Sequence, residues 1–149
     1  MKRAFWRWVL PLMLWMFFAA YPAYCSTYYV ATYGNDTTGN GSEALPWKTI
    51  APKALSVVVA GDTIFLRGGT HPYSSTITID KNGSSGAKFY MFAYPGERPI
   101  LDFSSMSESG SNRGIQLNAS YWYIKGIDIY KAGDNGMRPL NNLTFYKLL

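Results

Sequence analysis

Short apolar runs of three to five residues, separated by turn residues, fill most of the chain and predict many strands with little helix. Tyr28-Tyr29-Val30-Ala31-Thr32 opens the series and runs into a polar loop, Gly34 to Ser42, rich in turn-forming Gly, Asn and Thr. Thr63 to Arg67 is the next strand, closed by Gly68-Gly69. Thr76-Ile77-Thr78-Ile79 alternates cleanly, Lys81 to Gly86 is a loop, and Lys88 to Ala93 is again a strand. Pro99 to Asp102, Gly114 to Leu117, and Tyr121 to Tyr130, interrupted at Gly126, complete the set. One segment has the other period. Ile50, Ala54, Leu55 and Val58 fall on one face of a helix predicted within residues 51–59. Pro52 suits only its first turn, and Gly61-Asp62 stops it.

The strands recur. Gly114-Ile115-Gln116-Leu117 and Gly136-Met137-Arg138 are 22 residues apart, and Tyr123-Ile124 and Thr144-Phe145 are 21 apart. Such a period suits a β-solenoid, in which two or three short strands and their turns complete one coil. An antiparallel sandwich gives the same spacing, so the pattern alone leaves both architectures open. The solenoid accounts for the helix. A stack of coils exposes apolar core and unpaired strand edges at its end. A strand plus an amphipathic helix carrying Trp47, Ile50, Leu55 and Val58 covers both. An independent α+β domain would need more helix to cover a sheet.

The first residues change the domain picture. Lys2, Arg3 and Arg7 precede an uncharged apolar run, Trp8 to Ala20, followed by Pro22 and Ala23-Tyr24-Cys25 before Ser26. This is the order of a signal peptide over residues 1–25, cut near Cys25/Ser26, with the protein proper at 26–149. An uncleaved N-terminal anchor is one alternative, although the run is short for a membrane helix, which needs roughly 20 apolar residues. A lipoprotein signal acylated at Cys25 is another, disfavoured by the bulk of Tyr24. The expected location is secreted, periplasmic or cell-surface, with no stable membrane span after cleavage.

Charge and cysteine then exclude more than they add. The chain carries 14 Lys+Arg and 9 Asp+Glu, a formal +5, but three of the basic residues are in the leader. The remainder is close to neutral, so the high pI is a targeting feature and no sign of nucleic-acid binding. Cys25 is the only cysteine, which rules out an intramolecular disulfide and leaves stability to packing. Asn-X-Ser/Thr triplets begin at Asn35, Asn40, Asn82, Asn118 and Asn142, and matter only in a eukaryotic host.

A longer ordered series stands behind these elements. Tyr28-Tyr29-Val30, Gly34-Asn35-Asp36, Pro46-Trp47-Lys48-Thr49-Ile50, Ala54-Leu55 and Gly61-Asp62-Thr63-Ile64 come in that order. Arg67-Gly68-Gly69-Thr70, Ala93-Tyr94-Pro95-Gly96-Glu97, Tyr121 to Ile129 and Ala132-Gly133-Asp134-Asn135-Gly136 follow. Over residues 27–137 the series resembles the N-terminal part of right-handed parallel β-helix polysaccharide lyases, most closely family 9 pectate lyases. The resemblance implies an all-β right-handed parallel β-helix, here an N-terminal cap with one short helix and the first few coils. It implies β-elimination on an anionic, uronate-containing, pectate-like polysaccharide. In that chemistry Ca2+ neutralises the uronate carboxylate, a lysine or arginine removes the adjacent proton, and the glycosidic oxygen leaves. A different lyase or hydrolase on the same scaffold is also compatible, since the fold does not fix the substrate.

The family's aspartate cluster lies on later coils and its base further on still, so no catalytic, cofactor-binding or metal-ligating residue is assigned here. Lys125, Lys131 and Arg138 match no catalytic motif and read as solvated strand-edge or turn residues, lacking the neighbours that would tune a base. Asp134 reads as a turn residue, since one carboxylate makes a poor hard-cation site. His71 reads as a turn residue. No Ca2+ is expected to bind specifically to this piece. Arg138-Pro139 places a proline where ladder bonding is needed, and Asn141 to Tyr146 resembles a further coil before Lys147-Leu148-Leu149 ends the chain without a cap. The expectation is an inactive, truncated or frameshifted piece of a longer lyase. A non-catalytic carbohydrate-binding or surface β-helix module is the alternative, with Tyr73, Trp122 and Tyr130 as exposed aromatics that could stack on sugar rings, Trp122 fitting a core position equally well.

Overall fold

The computed structural model describes residues 25–139; residues 1–24 and 140–149, which include nearly all of the expected leader and the further coil expected from Asn141, lie outside the described residues. The described residues form ten short strands, all paired in parallel: β1 (Thr27–Val30), β2 (Thr63–Leu66), β3 (Gly69–Pro72), β4 (Ile77–Ile79), β5 (Phe89–Ala93), β6 (Pro99–Asp102), β7 (Ile115–Leu117), β8 (Trp122–Lys125), β9 (Asp128–Tyr130) and β10 (Met137–Pro139). They make three sheets, A in the order β1-β2-β5-β8, B in the order β3-β6-β9 and C in the order β10-β7-β4. From β2 onward each coil visits A, then B, then C before returning to A one layer on. The architecture is a right-handed parallel β-helix, and the sandwich is excluded.

Alternation within each strand builds the core. Ile64 and Leu66, Met91, His71 and Leu101, Ile77 with Ile115, and Ile79 with Leu117 point inward and are buried. Identical or similar residues therefore stack in columns along the axis, because parallel in-register pairing puts like positions one strand spacing apart. The expected pairing of Gly114 to Leu117 with the residues from Gly136 is observed: Ile115 faces Met137 and Gln116 faces Arg138. The other steps are unequal, since loops of different length bulge between sheets, and this blurs the period in the sequence.

The cap is smaller than the periodicity predicts. Helical backbone covers only Ile50–Ala54, in which Ala51 is extended, and Leu55–Val57; Val58 is already extended at φ −60°, ψ 145°. The Ala51-Pro52 bond is cis. Ile50, Ala54 and Val58 are buried as the face predicts, and Leu55 is half-buried against the core. The loop of residues 31–49 is tied down by polar groups. Asp36 Oδ1 accepts from the Lys48 and Thr49 amides and Oδ2 from the Thr49 hydroxyl, while the Trp47 indole donates to Gly39 O at 3.1 Å. At the far end of the cap, buried Asp62 accepts from the Ser26 and Val59 amides at 2.9 Å each, joining the start of β1 to the cap exit. Gly61, at φ +106°, makes the exit, and Gly69, at φ +111°, makes the corner from sheet A to sheet B.

Three expectations are corrected. His71 is not in a turn: it is the inward residue of β3, 2% exposed, opposite Leu101. Gly69 and Pro72 give that segment the composition of a turn, and only pairing with β6 reveals it as a strand. Pro139 does not break the ladder; it ends β10, a strand with one partner among the described residues, where a missing N–H is tolerated. Tyr73 is not exposed: it is buried, stacks on Phe103 at 5.5 Å between centroids, and its hydroxyl oxygen accepts from the Ile50 amide at 3.0 Å.

Candidate functional site

The two long outer faces of the solenoid differ in chemistry. On sheet C the outward column is Thr78, Gln116 and Arg138. Gln116 Nε2 donates to Asn118 Oδ1 at 2.9 Å and more weakly to Arg138 O at 3.3 Å, and Asn118 Nδ2 donates to Asp80 Oδ1 at 2.8 Å. The result is a polar strip along the axis. At its N-terminal end the strip enters an open cleft of about 460 Å³ between β4 and the cap, with Pro52 and Leu55 on one wall and Ser75, Thr78, Asp80 and Lys81 on the other. Lys81 is fixed there: its ammonium donates to Val58 O at 2.8 Å and Ser56 O at 3.1 Å, satisfying carbonyls at the end of the cap helix.

On sheet A most outward residues are aromatic, with Thr27, Thr63 and Lys125 completing the columns. Tyr29, Phe65 and Phe92 form one column, Tyr90 and Tyr123 the next, and neighbouring rings lie 5.7 to 6.3 Å apart. Tyr94 closes the group against Tyr29 and Phe65. The Arg67 guanidinium covers the Tyr94 ring at 4.3 Å and binds the Glu97 carboxylate through Nε and Nη2. The Arg67 side chain and then the Gly68 amide hold the Glu97 carboxyl below its ordinary value, and the same contact raises Arg67. This cluster fastens the corner between sheets A and B.

The basic residues singled out in the sequence stay apart. Lys125 ends β8 on the sheet A side, Lys131 leans over the Tyr130 ring at 5.4 Å, and Arg138 is on sheet C. Asp134 occupies a turn, accepting from Asn135 and lying 3.6 Å from Arg113 Nε. Among the described residues no three His, Cys, Asp or Glu side chains gather as a metal site, and no helix is long and apolar enough to cross a membrane. Of the three aromatics considered for sugar stacking, Tyr130 is exposed, Tyr73 is core, and Trp122 is half-buried, stacked on Phe89 at 4.5 Å with its N–H on Lys81 O. The Lys81 cleft was not anticipated. Its walls come from segments 25 residues apart, and only the docking of the cap on β4 brings them together.

Residues 28–148 match the family described as Pel9A-like, right-handed beta helix region. The chain belongs to that family. "Pectate lyase L" of Paenibacillus polymyxa is 49% identical over 86 residues, which are 56% of this chain and 19% of that protein. The solved structure of pectate lyase Pel9A matches at TM-score 0.67 and 34% identity, covering 75% of this chain and 30% of that one. A solved rhamnogalacturonan lyase matches at TM-score 0.63 and 26% identity, covering 70% and 28%. The chain thus spans between a fifth and a third of the length of these relatives.

Proposed function

We propose that the chain is the N-terminal cap and first coils of an exported, pectate-lyase-like polysaccharide lyase that acts on a uronate-containing polysaccharide by β-elimination. The observation that carries the reading is the family match over residues 28–148, with pectate lyases among the relatives. In this reading residues 25–139 serve the reaction by covering the open end of the helix and starting the polar strip on sheet C. Neither the base nor the calcium ligands are assigned to Lys125, Lys131, Arg138 or Asp134. Export rests on residues 1–25.

The test is to incubate the purified chain with polygalacturonate, with and without Ca2+, and follow the ultraviolet absorbance of the unsaturated product. No product is expected. Turnover by this chain would sink the assignment of the chemistry to residues elsewhere.

A further inference from the structure

We propose that the cleft between the cap and β4 is a saccharide subsite that holds one uronate residue of an acidic polysaccharide through the Lys81 ammonium. The inference rests on the reading that this protein meets such a polymer, and adds to it a place of contact and a residue.

Three features converge in the cleft. Its volume, about 460 Å³, is ample for one sugar ring with its hydroxyls. Pro52 and Leu55 offer an apolar wall for the C–H face of a pyranose, while Ser75 and Thr78 offer hydroxyls at exposed positions opposite. The charged group is held in place. An ammonium has three donors; Val58 O and Ser56 O take two at Lys81, which leaves one to give. Because those carbonyls already fix the side chain, little rotamer entropy remains to be lost when a ligand carboxylate arrives.

The neighbouring charge narrows the ligand. Asp80 also lines the cleft, with Oδ1 taken by Asn118. A carboxylate beside the single cation disfavours a doubly charged phosphate, yet it accepts a hydrogen bond from a sugar hydroxyl. A uronate has both groups on one ring: a carboxylate for Lys81 and hydroxyls for Asp80, Ser75 and Thr78. The polar strip Thr78-Gln116-Arg138 leads straight out of the cleft along sheet C, so a polymer seated there continues along the helix axis.

Titration of the full chain with tetragalacturonate and with neutral galactotetraose, followed by calorimetry, tests this. Tetragalacturonate is expected to bind at least tenfold more tightly than galactotetraose, and more weakly as salt rises. Thr78→Trp, a bulky change at an exposed strand position, should abolish binding. Lys81→Met should cost at least tenfold and Lys81→Arg should restore most of it. Urea denaturation of the methionine variant identifies any loss caused only by uncapping the helix. If Thr78→Trp binds tetragalacturonate like the parent, the cleft is not the site, although contact with acidic polysaccharide stands. If the parent prefers galactotetraose, the uronate assignment here and the acidic-substrate reading both fall. If it binds neither, the subsite is overturned.

Discussion

The outer faces of sheets A and C have the same pairing and the same alternation, yet one is closed upon itself and the other is open. On sheet A, rings from successive coils pack against each other at 5.7 to 6.3 Å, mostly tilted or edge-on, so each covers part of its neighbours. On sheet C the outward residues are Thr78, Gln116 and Arg138, with the Gln116 amide bonded to Asn118 and to the Arg138 main-chain carbonyl. A parallel in-register stack repeats whatever it is given. Aromatics repeated this way become a brace, each pair contributing about 0.5–1.5 kcal/mol beyond burial. Polar residues repeated this way leave a strip that contributes little to stability and is available for contact.

The largest effect should come from removing the hub of the brace. Phe65 touches Tyr29, Phe92 and Tyr94, and Phe65→Ala should lower stability by about 2–4 kcal/mol in urea denaturation, with no loss of saccharide binding on sheet C. An unchanged urea midpoint would mean the rings are only decorative.

Tyr73 joins the interior to the cleft wall, so it tests whether the two faces are independent. Tyr73→Phe leaves the Ile50 amide without its acceptor and should cost about 1–3 kcal/mol. Burial pushes the Tyr73 phenol up to about 12, ahead of the hydrogen bond from Ile50, which lowers it. Its folded value lies above its unfolded value near 10, so the parent's stability should decline between about pH 10 and 12, and the phenylalanine variant should lack that component.

His71 gives a smaller effect at the other end of the scale. Burial lowers its pKa below 6.5, against a weaker upward pull from Arg67 O, 2.8 Å from Nε2. The unfolded chain then binds the proton more readily than the folded one, so stability is full above pH 6.5 and falls as pH drops below it. Melting curves of His71→Phe should show a flatter dependence in that window. The smallest effect belongs to the open face: Thr78→Ala should shift stability by no more than about 0.5 kcal/mol. A larger loss would make the strip structural and erase the contrast with sheet A.

Much of this frame was legible beforehand, for identifiable reasons. The alternation in Thr63–Leu66 and Ile77–Ile79 is local, and it names the buried side directly. The ordered motif series from Tyr28 to Gly136 carried the solenoid and its cap. What stayed hidden depends on contacts distant in sequence. Gly69–Pro72 becomes a strand only because β6 lies beside it, and Tyr73 becomes core because Phe103, from the next coil, stacks on it. The cleft is hidden for the same reason, since Leu55 and Lys81 share no local signal. The helix was overread because Ile50, Ala54 and Val58 are all inward although Val58 is no longer helical.

The bond from the Ser26 amide to buried Asp62 has one more consequence. A cut just before Ser26 would replace that amide with a free α-ammonium, turning a neutral donor into a charged one beside a carboxylate already shielded from water. If residues 1–25 are removed on export, as proposed, that cut would act as a latch, tightening β1 onto the cap exit. The chain beginning at Ser26 should melt higher than the same chain acetylated at its new terminus, and equal melting temperatures would leave the cut as housekeeping without a part in maturation.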